Sequence, residues 1–128
     1  MKNIALIIAG GVGARMGQDI PKQFLNVNDK PVIVYTLEAF QKHPNIEKIC
    51  VVCIEGWEEV LRAYAKQFGI TKLSWVVKGG STGQESIKNG IWAMKDELDG
   101  EDLILVHDAI RPMISQEIIS ESISKCKL

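Results

Sequence analysis

Asn3-Ile-Ala-Leu-Ile-Ile-Ala-Gly-Gly-Val-Gly-Ala-Arg-Met-Gly17 is the stretch of this sequence that decides the fold. Its first part, Asn3–Ala9, is an almost continuous apolar run with several β-branched side chains. A strand that is covered on both faces has this composition, because neither face meets water. The glycines that follow end the strand and begin a loop. The stretch therefore predicts a buried strand that leads into a glycine-rich loop.

Outward from this stretch, short apolar runs alternate with segments of helical period. Three further runs predict strands, at 48–54, 73–77 and 102–106. Alternation of strands and helices is typical of a parallel sheet with helices on both faces, which is an α/β fold. The helical segments between and after the strands carry these apolar stripes: Ile33, Leu37 and Phe40; Val60, Leu61, Tyr64 and Phe68; Ile87, Ile91, Met94 and Leu98; Ile118, Ile119 and Ile123.

Residues that favour helix ends flank these stripes. Pro31 suits the start of the first helix, and Gly69 suits the end of the second. Thr82-Gly-Gln-Glu85 has the form of a capping box at the start of the third helix. Ser115 can cap a last helix. The chain stops within that predicted helix, so we expect a fold truncated at its C-terminus.

Composition narrows the classes of protein. The 128 residues are 46% hydrophobic and 24% charged, which describes an ordinary soluble globular domain. The net charge of -1 argues against a broadly basic nucleic-acid binder and a polybasic membrane-surface protein. The longest apolar runs fall far short of the roughly 18 residues that a membrane span needs. Three cysteines do not make a disulfide scaffold, so we expect a cytoplasmic protein.

Cys50 and Cys53 spell C-x-x-C, a pattern found in redox pairs and zinc sites. Both lie within a predicted strand, and their opposite parity directs their side chains to opposite faces of the sheet. No second cysteine pair accompanies them in the sequence. We therefore interpret them as two small buried hydrophobic residues.

Three strand ends carry loops rich in functional residue types. Ligands of parallel α/β sheets bind beyond the carboxyl ends of the strands, so these loops are expected to face one crevice. Glycines in the first loop, 10–17, let backbone N–H groups approach phosphate oxygens, although a tight turn also accounts for them. The other two loops are 79–86 and 107–111.

Charged residues in these loops favour nucleotidyl transfer. Arg15 and Lys22 suit a polyphosphate, with two solvated surface charges as the alternative. Asp108 is apt for holding Mg²⁺ through oxygen, and its alternative role is to cap the turn that follows. His107 suits a general base or, alternatively, a hydrogen-bonded structural histidine.

Several motifs resemble those of the methylerythritol phosphate cytidylyltransferase family, which ribitol-5-phosphate cytidylyltransferases share. The first is Ala9-Gly-Gly-x-Gly-x-Arg-Met-Gly17, followed by Pro21-Lys-Gln-Phe-Leu25 and Lys30-Pro31. Gly79-Gly-Ser-x-x-x-Glu-Ser86 and Val106-His-Asp-Ala-x-Arg-Pro112 match the next two motifs in order. The resemblance covers essentially the whole chain and implies a Rossmann-like parallel-sheet nucleotidyltransferase fold. Residues 1–128 would be the N-terminal portion of its nucleotide-binding domain, since known members run longer.

The resemblance also implies an activity and a site. CTP and a sugar-alcohol phosphate, 2-C-methyl-D-erythritol 4-phosphate, would give a CDP-alcohol and pyrophosphate in isoprenoid biosynthesis. D-ribitol 5-phosphate as acceptor, or a non-catalytic nucleotide-binding fragment, is the alternative. Arg15 and Lys22 would be catalytic, Asp108 would hold Mg²⁺ as cofactor, and the full-length protein would be a homodimer without nucleic-acid or membrane partners. The implied nucleotide-binding residues are Ala9, Gly10, Gly11, Gly13, Gly80, Ser81, Ser86 and Ala109.

Two departures leave the acceptor open. Gly83 stands where the family usually has arginine. The first loop reads Ala-Gly-Gly, as in ribitol phosphate enzymes, whereas His107-Asp-Ala favours the methylerythritol branch. A second enzyme class, the nucleotidyltransferases for sugar-1-phosphates, also uses loops of the Gly-x-Gly-x-Arg-Met type.

Overall fold

A computed structural model describes residues 2–9, 20–110 and 119 of the chain. Strands and helices alternate as the sequence predicts, with a short hairpin inserted before the first helix. The elements in chain order are β1 (Asn3–Ala9), a 3-10 turn (Lys22–Phe24), β2 (Asn26–Val27), β3 (Lys30–Pro31), α1 (Val32–Lys42), β4 (Lys48–Cys53), α2 (Glu58–Gln67), β5 (Leu73–Lys78), α3 (Gly83–Met94) and β6 (Leu103–Asp108).

The main sheet has four strands in the order β5-β4-β1-β6, and every pair in it is parallel. The central strand β1 pairs on one side with β4, where Leu6 lies opposite Cys50, and on the other with β6, where Leu6 lies opposite Val106. The chain runs outward from β1 through β4 to β5 and then crosses back to place β6 on the other side. The predicted parallel α/β fold is confirmed.

Helices cover both faces of this sheet. Ala5 and Ile7 of β1 belong to a core that includes buried residues of α1 and α2. Ile4 and Leu6 belong to a second core on the opposite face, closed by Met94 of α3. Alternate residues of one strand therefore enter two separate cores, because successive side chains of a strand point to opposite faces.

The two strand cysteines follow the same alternation. Cys50 lies in the core beneath α3, and Cys53 lies in the core beneath α1 and α2. Burial raises the pKa of each thiol to about 12, so both are neutral at physiological pH. The interpretation of the C-x-x-C pair as two buried hydrophobic residues is confirmed.

The first two helices match the predicted stripes. Ile33, Leu37 and Phe40 are buried on α1. Leu61 is the fully buried member of the stripe on α2. Gly69 follows that helix with φ of +73°, a left-handed conformation that glycine adopts without a steric penalty.

The third helix follows its predicted stripe except at Ile91, since Met94 is buried and Ile87 and Leu98 pack against the same core. Its fully covered residues are Ser86, Gly90 and Met94, whereas Ile91 is 40% exposed. Leu98 lies beyond the end of the helix at Met94. Gly90 explains the exposure of Ile91. Because Gly90 has no side chain, the helix backbone approaches the sheet at this position, and Ser86, Gly90 and Met94 face the strands instead of Ile91.

The fourth main strand is longer than its pattern predicts. The expectation that the loop begins at His107 is wrong, since β6 continues through Asp108. Ile7 pairs with His107 and Ile8 pairs with Asp108. Pairing with β1, which continues to Ala9, carries the extended conformation two residues further than the local apolar pattern indicates.

Ile119 of the predicted last helix is helical and fully buried. Ser115, Ile118 and Ile123, predicted in the same helix, lie outside the described residues. Within the described ranges, no helix combines the length and apolar character that crossing a membrane requires.

Replacing Gly90 by alanine tests the close approach of α3. An added Cβ would lie 2.6 Å from Leu6 Cδ1 and 3.1 Å from Val52 Cγ2, and both side chains are fully buried. Overpacking a core costs about 1–3 kcal/mol of stability. Within a helix, alanine is more favourable than glycine by roughly 1 kcal/mol, which offsets part of that cost. We expect Gly90→Ala to lower the free energy of unfolding in urea by about 1 kcal/mol.

Gly83→Ala is the matched control on the same helix. Nothing lies within 4 Å of its added Cβ, so its stability should equal or exceed that of the parent chain. If Gly90→Ala were as stable as Gly83→Ala, the close packing of α3 on Leu6 would not be needed.

Candidate functional site

The carboxyl ends of the four parallel strands form one edge of the sheet. Ile8 lies opposite Asp108, and Ala9 lies opposite Cys53, which in turn lies opposite Lys78. The loops after β1, β5 and β6 therefore leave from the same edge, as predicted. The strand order reverses between β1 and β6, and in doubly wound sheets such a switch point opens a crevice that binds ligands.

Two contacts hold the turn that carries Lys22 beside the end of β1. The side-chain amide of Gln23 is buried and donates a hydrogen bond to the carbonyl of Ala9. The ring of Phe24 is buried and stacks on Trp57, with ring centroids 4.8 Å apart. Lys22, which directly precedes these two anchors, is exposed. Its side chain is thus presented to solvent by a turn that the two contacts hold in place on its C-terminal side.

This arrangement confirms one part of the sequence interpretation and corrects another. The sequence predicts that the apolar residues after Lys22 anchor this loop in the core, and Phe24 does so. Leu25 does not, since it is 38% exposed. The anchoring partner Trp57 was missed, because it lies in another element and its sequence neighbourhood only indicates the start of α2.

The second loop brings its predicted residues together. The N–H of Gly80 donates to the hydroxyl oxygen of Ser86 at 3.0 Å. The hydroxyl of Ser81 donates to the carboxylate of Glu85 at 2.9 Å, and the N–H of Glu85 donates to the hydroxyl oxygen of Thr82 at 3.1 Å. The predicted cap at Thr82 is confirmed. These bonds fold the loop tightly onto the first turn of α3.

Ser86 is the buried member of this loop, and Ser81 is exposed. Since the Ser86 oxygen accepts from Gly80, its own hydroxyl proton can be donated to a further acceptor. The loop thus offers a fixed hydroxyl donor at the sheet edge, which suits hydrogen bonding to a neutral base or sugar.

The third loop is pinned to β1 and α1. The N–H of Ala109 donates to the carbonyl of Ile8 at 3.0 Å, and the Ala109 carbonyl accepts from the hydroxyl of Thr36 at 2.8 Å. Asp108 is exposed, and its Oδ1 accepts from the N–H of Ile110 at 3.1 Å. The turn-capping alternative for Asp108 is therefore observed, and it occupies one carboxylate oxygen.

A capped turn leaves Asp108 fit to hold a metal ion. Its carboxylate is exposed at the sheet edge, and carboxylate oxygen is a preferred ligand of Mg²⁺. Across the described ranges, no cluster of three or more His, Cys, Asp or Glu side chains could hold a metal ion. The exposed carboxylate of Asp108 therefore fits Mg²⁺ as an oxygen ligand.

His107 packs into the structure beside this loop. Its ring lies edge-on to Phe40 of α1, with ring centroids 5.4 Å apart. It alternates with Asp108 along β6, so the two side chains leave the strand on opposite faces. This placement favours the structural role for His107 over that of a general base.

Several predicted site residues lie outside the described residues. They are Gly10, Gly11, Gly13 and Arg15 of the first loop. Their roles stay predictions from the sequence. The remaining predicted site residues are described, and all lie on or beside the same edge of the sheet. They are Ala9, Lys22, Gly80, Ser81, Ser86, Asp108 and Ala109.

Fold and edge together define an α/β protein with a doubly wound sheet whose switch point lies between β1 and β6. Comparison with known proteins then specifies the family. Residues 3–127 match the family model described as IspD: 2-C-methyl-D-erythritol 4-phosphate cytidylyltransferase. The chain belongs to this family.

Curated relatives carry two activities in their names. A ribitol-5-phosphate cytidylyltransferase of Vibrio parahaemolyticus serotype O3:K6 is 49% identical over 126 residues, covering 98% of this chain and 53% of the relative. A 2-C-methyl-D-erythritol 4-phosphate cytidylyltransferase of Clostridium tetani is 39% identical over 122 residues, covering 95% of this chain and 48% of the relative. The chain spans about half the length of the curated relatives it matches.

Solved structures agree with the family assignment. A 4-diphosphocytidyl-2C-methyl-D-erythritol synthase from Anaerococcus prevotii superposes with a TM-score of 0.77 at 25% identity, covering 98% of this chain and 50% of that chain. A 2-C-methyl-D-erythritol 4-phosphate cytidylyltransferase from Francisella tularensis superposes with a TM-score of 0.75 at 27% identity, covering 99% of this chain and 52% of that one.

Replacing Trp57 by leucine tests the anchoring of the Lys22 turn. An aromatic pair contributes about 0.5–1.5 kcal/mol beyond the area it buries. We therefore expect amide hydrogen exchange at Phe24 and Leu25, whose N–H groups bond to Pro21 and Lys22, to accelerate about two- to tenfold.

The matched control is Trp92→Leu, since Trp92 on α3 is 66% exposed. It should leave exchange at both amides unchanged. Equal exchange rates in the Trp57 and Trp92 variants would show that the stack does not hold the turn.

Proposed function

We propose that this chain carries the nucleotide-binding part of a cytidylyltransferase that joins CTP to a sugar-alcohol phosphate and releases pyrophosphate. The observation that carries the proposal is the carboxyl edge of the four-stranded sheet. Residues from three separate family motifs, represented by Lys22, the Gly80–Ser86 pair and Asp108, lie along this edge beside the ends of β1, β5 and β6. Family membership supports the same activity.

D-ribitol 5-phosphate is the acceptor that we propose, with 2-C-methyl-D-erythritol 4-phosphate as the second candidate. The sequence motifs alone are compatible with both acceptors. Five curated relatives named for ribitol 5-phosphate are 41–49% identical, whereas three named for the methylerythritol phosphate are 38–39% identical. The Ala-Gly-Gly form of the first loop favours the same choice.

The residues of the edge suit an in-line displacement at the α-phosphorus of CTP. A phosphate oxygen of the acceptor forms a bond to the α-phosphorus, and the bond from that phosphorus to the bridging oxygen breaks to release pyrophosphate. Lys22 would lie against the triphosphate and stabilise the charge that grows on the leaving group. Ser86 and the Gly80 backbone would bind the nucleoside, and neutral groups at fixed positions can select a pyrimidine.

Asp108 would hold Mg²⁺, which neutralises phosphate charge when it is bound. Arg15 is proposed as a second cation on the triphosphate. For a protein of the relatives' full length, a homodimer and a cytoplasmic location complete the proposal.

Mg²⁺-dependent binding of CTP tests the site directly in this chain. We expect calorimetry to detect CTP binding that Mg²⁺ strengthens, and Asp108→Asn to reduce that strengthening by about tenfold, equivalent to roughly 1.4 kcal/mol. Asp96→Asn, which changes an exposed acid beyond the end of α3, is the matched control and should respond to Mg²⁺ as the parent does. Failure to bind CTP with or without Mg²⁺ would contradict the proposed function.

Replacing Lys22 by alanine separates binding from turnover. A contact with charge that develops only as pyrophosphate leaves contributes about 3 kcal/mol to the rate and little to ground-state affinity. We expect Lys22→Ala to keep CTP affinity within about tenfold, and to lower pyrophosphate release with D-ribitol 5-phosphate at saturating CTP by about a hundredfold or more.

Lys42→Ala, which removes an exposed lysine at the end of α1, is the control for loss of one positive charge. Loss of CTP affinity with unchanged saturated turnover in Lys22→Ala would instead make Lys22 a ground-state anchor. Should this chain bind CTP without releasing pyrophosphate with either acceptor, the non-catalytic alternative would apply to it.

A further inference from the structure

The buried hydroxyl of Thr36 points to a role in the loop after β6. Thr36 lies on α1 and is fully buried, and it is separated from Ala109 by 73 residues in sequence. Its hydroxyl donates to the Ala109 carbonyl at 2.8 Å. A threonine within a helix commonly bonds to a carbonyl of its own preceding turn. This one instead links the helix to the loop that carries Asp108.

Thr36 is not explained by packing alone. Valine has nearly the same shape and would fill the same space without placing a polar group in the core. A buried hydroxyl is stable only with a hydrogen-bond partner, and the Ala109 carbonyl is equally in need of one because Ala109 is fully buried. The pair therefore satisfies two buried polar groups at one point of the loop.

The Ala109 carbonyl and the Ile110 N–H belong to the same planar peptide unit. Because the unit is rigid, fixing the direction of the carbonyl also fixes the direction of the N–H on its opposite side. That N–H donates to Asp108 Oδ1 at 3.1 Å. A continuous path thus runs from the Thr36 hydroxyl through one peptide plane to the carboxylate of Asp108.

A second bond makes this path rigid. The N–H of Ala109 donates to the carbonyl of Ile8 at 3.0 Å, so β1 holds the peptide on one side of Ala109 while Thr36 holds the peptide on the other. Asp108 is itself paired with Ile8 in the sheet. The exposed carboxylate is therefore oriented by uncharged groups, of which Thr36 and Ala109 are fully buried.

We propose that Thr36 is a positioning residue for the metal-binding carboxylate, which it orients through the peptide between Ala109 and Ile110. The inference rests on the proposed role of Asp108 in holding Mg²⁺ beside CTP. Residues that orient a metal ligand without touching the metal commonly contribute about 10- to 100-fold to metal affinity. Thr36 would act on the metal response of the site without contacting nucleotide or metal.

Thr36→Val removes the hydroxyl and keeps the shape, and Thr36→Ser keeps the hydroxyl. Calorimetry of CTP binding at several Mg²⁺ concentrations is the measurement. Mg²⁺ raises CTP affinity, and the quantity to compare is the Mg²⁺ concentration that gives half of this gain. We expect Thr36→Val to raise that concentration by about tenfold. CTP affinity without Mg²⁺ should stay within about twofold of the parent. Thr36→Ser should restore most of the metal response.

Ile33→Val, which trims a buried side chain on the same helix, is the control for a general loss of stability. It should leave the metal response unchanged. In an Asp108→Asn background, Thr36→Val should have no further effect on that response. An additional effect there, or an equal effect from Ile33→Val, would show that Thr36 acts only through stability.

The outcomes separate this inference from the proposed function. If Asp108→Asn leaves the Mg²⁺ response unchanged, the metal role of Asp108 is wrong. If Asp108→Asn reduces the response and Thr36→Val does not, the metal role stands and the positioning inference is wrong. Should Thr36→Val fail to fold, hydrogen exchange of the Ile110 N–H provides the test instead. Thr36→Ser must then protect that N–H as the parent does. Rapid exchange of the Ile110 N–H in the parent would overturn the inference.

Discussion

The structure depends on one constraint, which is that β1 has no face and no edge open to water. Its side chains enter two cores, and its backbone pairs with β4 on one side and β6 on the other. The side chains of such a strand are apolar from Ile4 to Ala9, and the backbone groups at its carboxyl end need partners within the protein. Gly90 follows from the same constraint, because the helix above Leu6 packs closely on a continuous apolar surface.

The end of β1 organises the candidate site for the same reason. The Ile8 carbonyl accepts from Ala109, and the Ala9 carbonyl accepts from Gln23. Partners from two distant parts of the chain therefore satisfy adjacent carbonyls, and each partner lies next to a charged residue of the proposed site, Asp108 or Lys22. The strand end thus sets a cationic and an anionic side chain on one edge.

Neutral hydrogen bonds and ring stacking do the positioning, while the charged groups stay in water. Burying Lys22 or Asp108 would cost several kcal/mol in desolvation without a paired charge. Holding their backbones through buried uncharged groups such as Gln23 and Thr36 avoids that cost. The charged ends then remain available for phosphate and metal, whose own charges can compensate them on binding. This division suits the proposed binding of a highly charged nucleotide and the release of a charged product.

The sequence by itself determined the alternation of strands and helices, the opposite faces of Cys50 and Cys53, and the loops that carry the candidate site. These features depend on local periodicity and on motifs that lie within one segment. Only the tertiary structure decided the end of β6, the exposure of Ile91 on α3, and the contacts of Trp57 with Phe24 and of Thr36 with Ala109. Each of these depends on which side chains distant elements bring together. Hydrophobic period specifies which face of an element is buried, but a hydrogen bond across 73 residues exists only once the sheet and helices have packed.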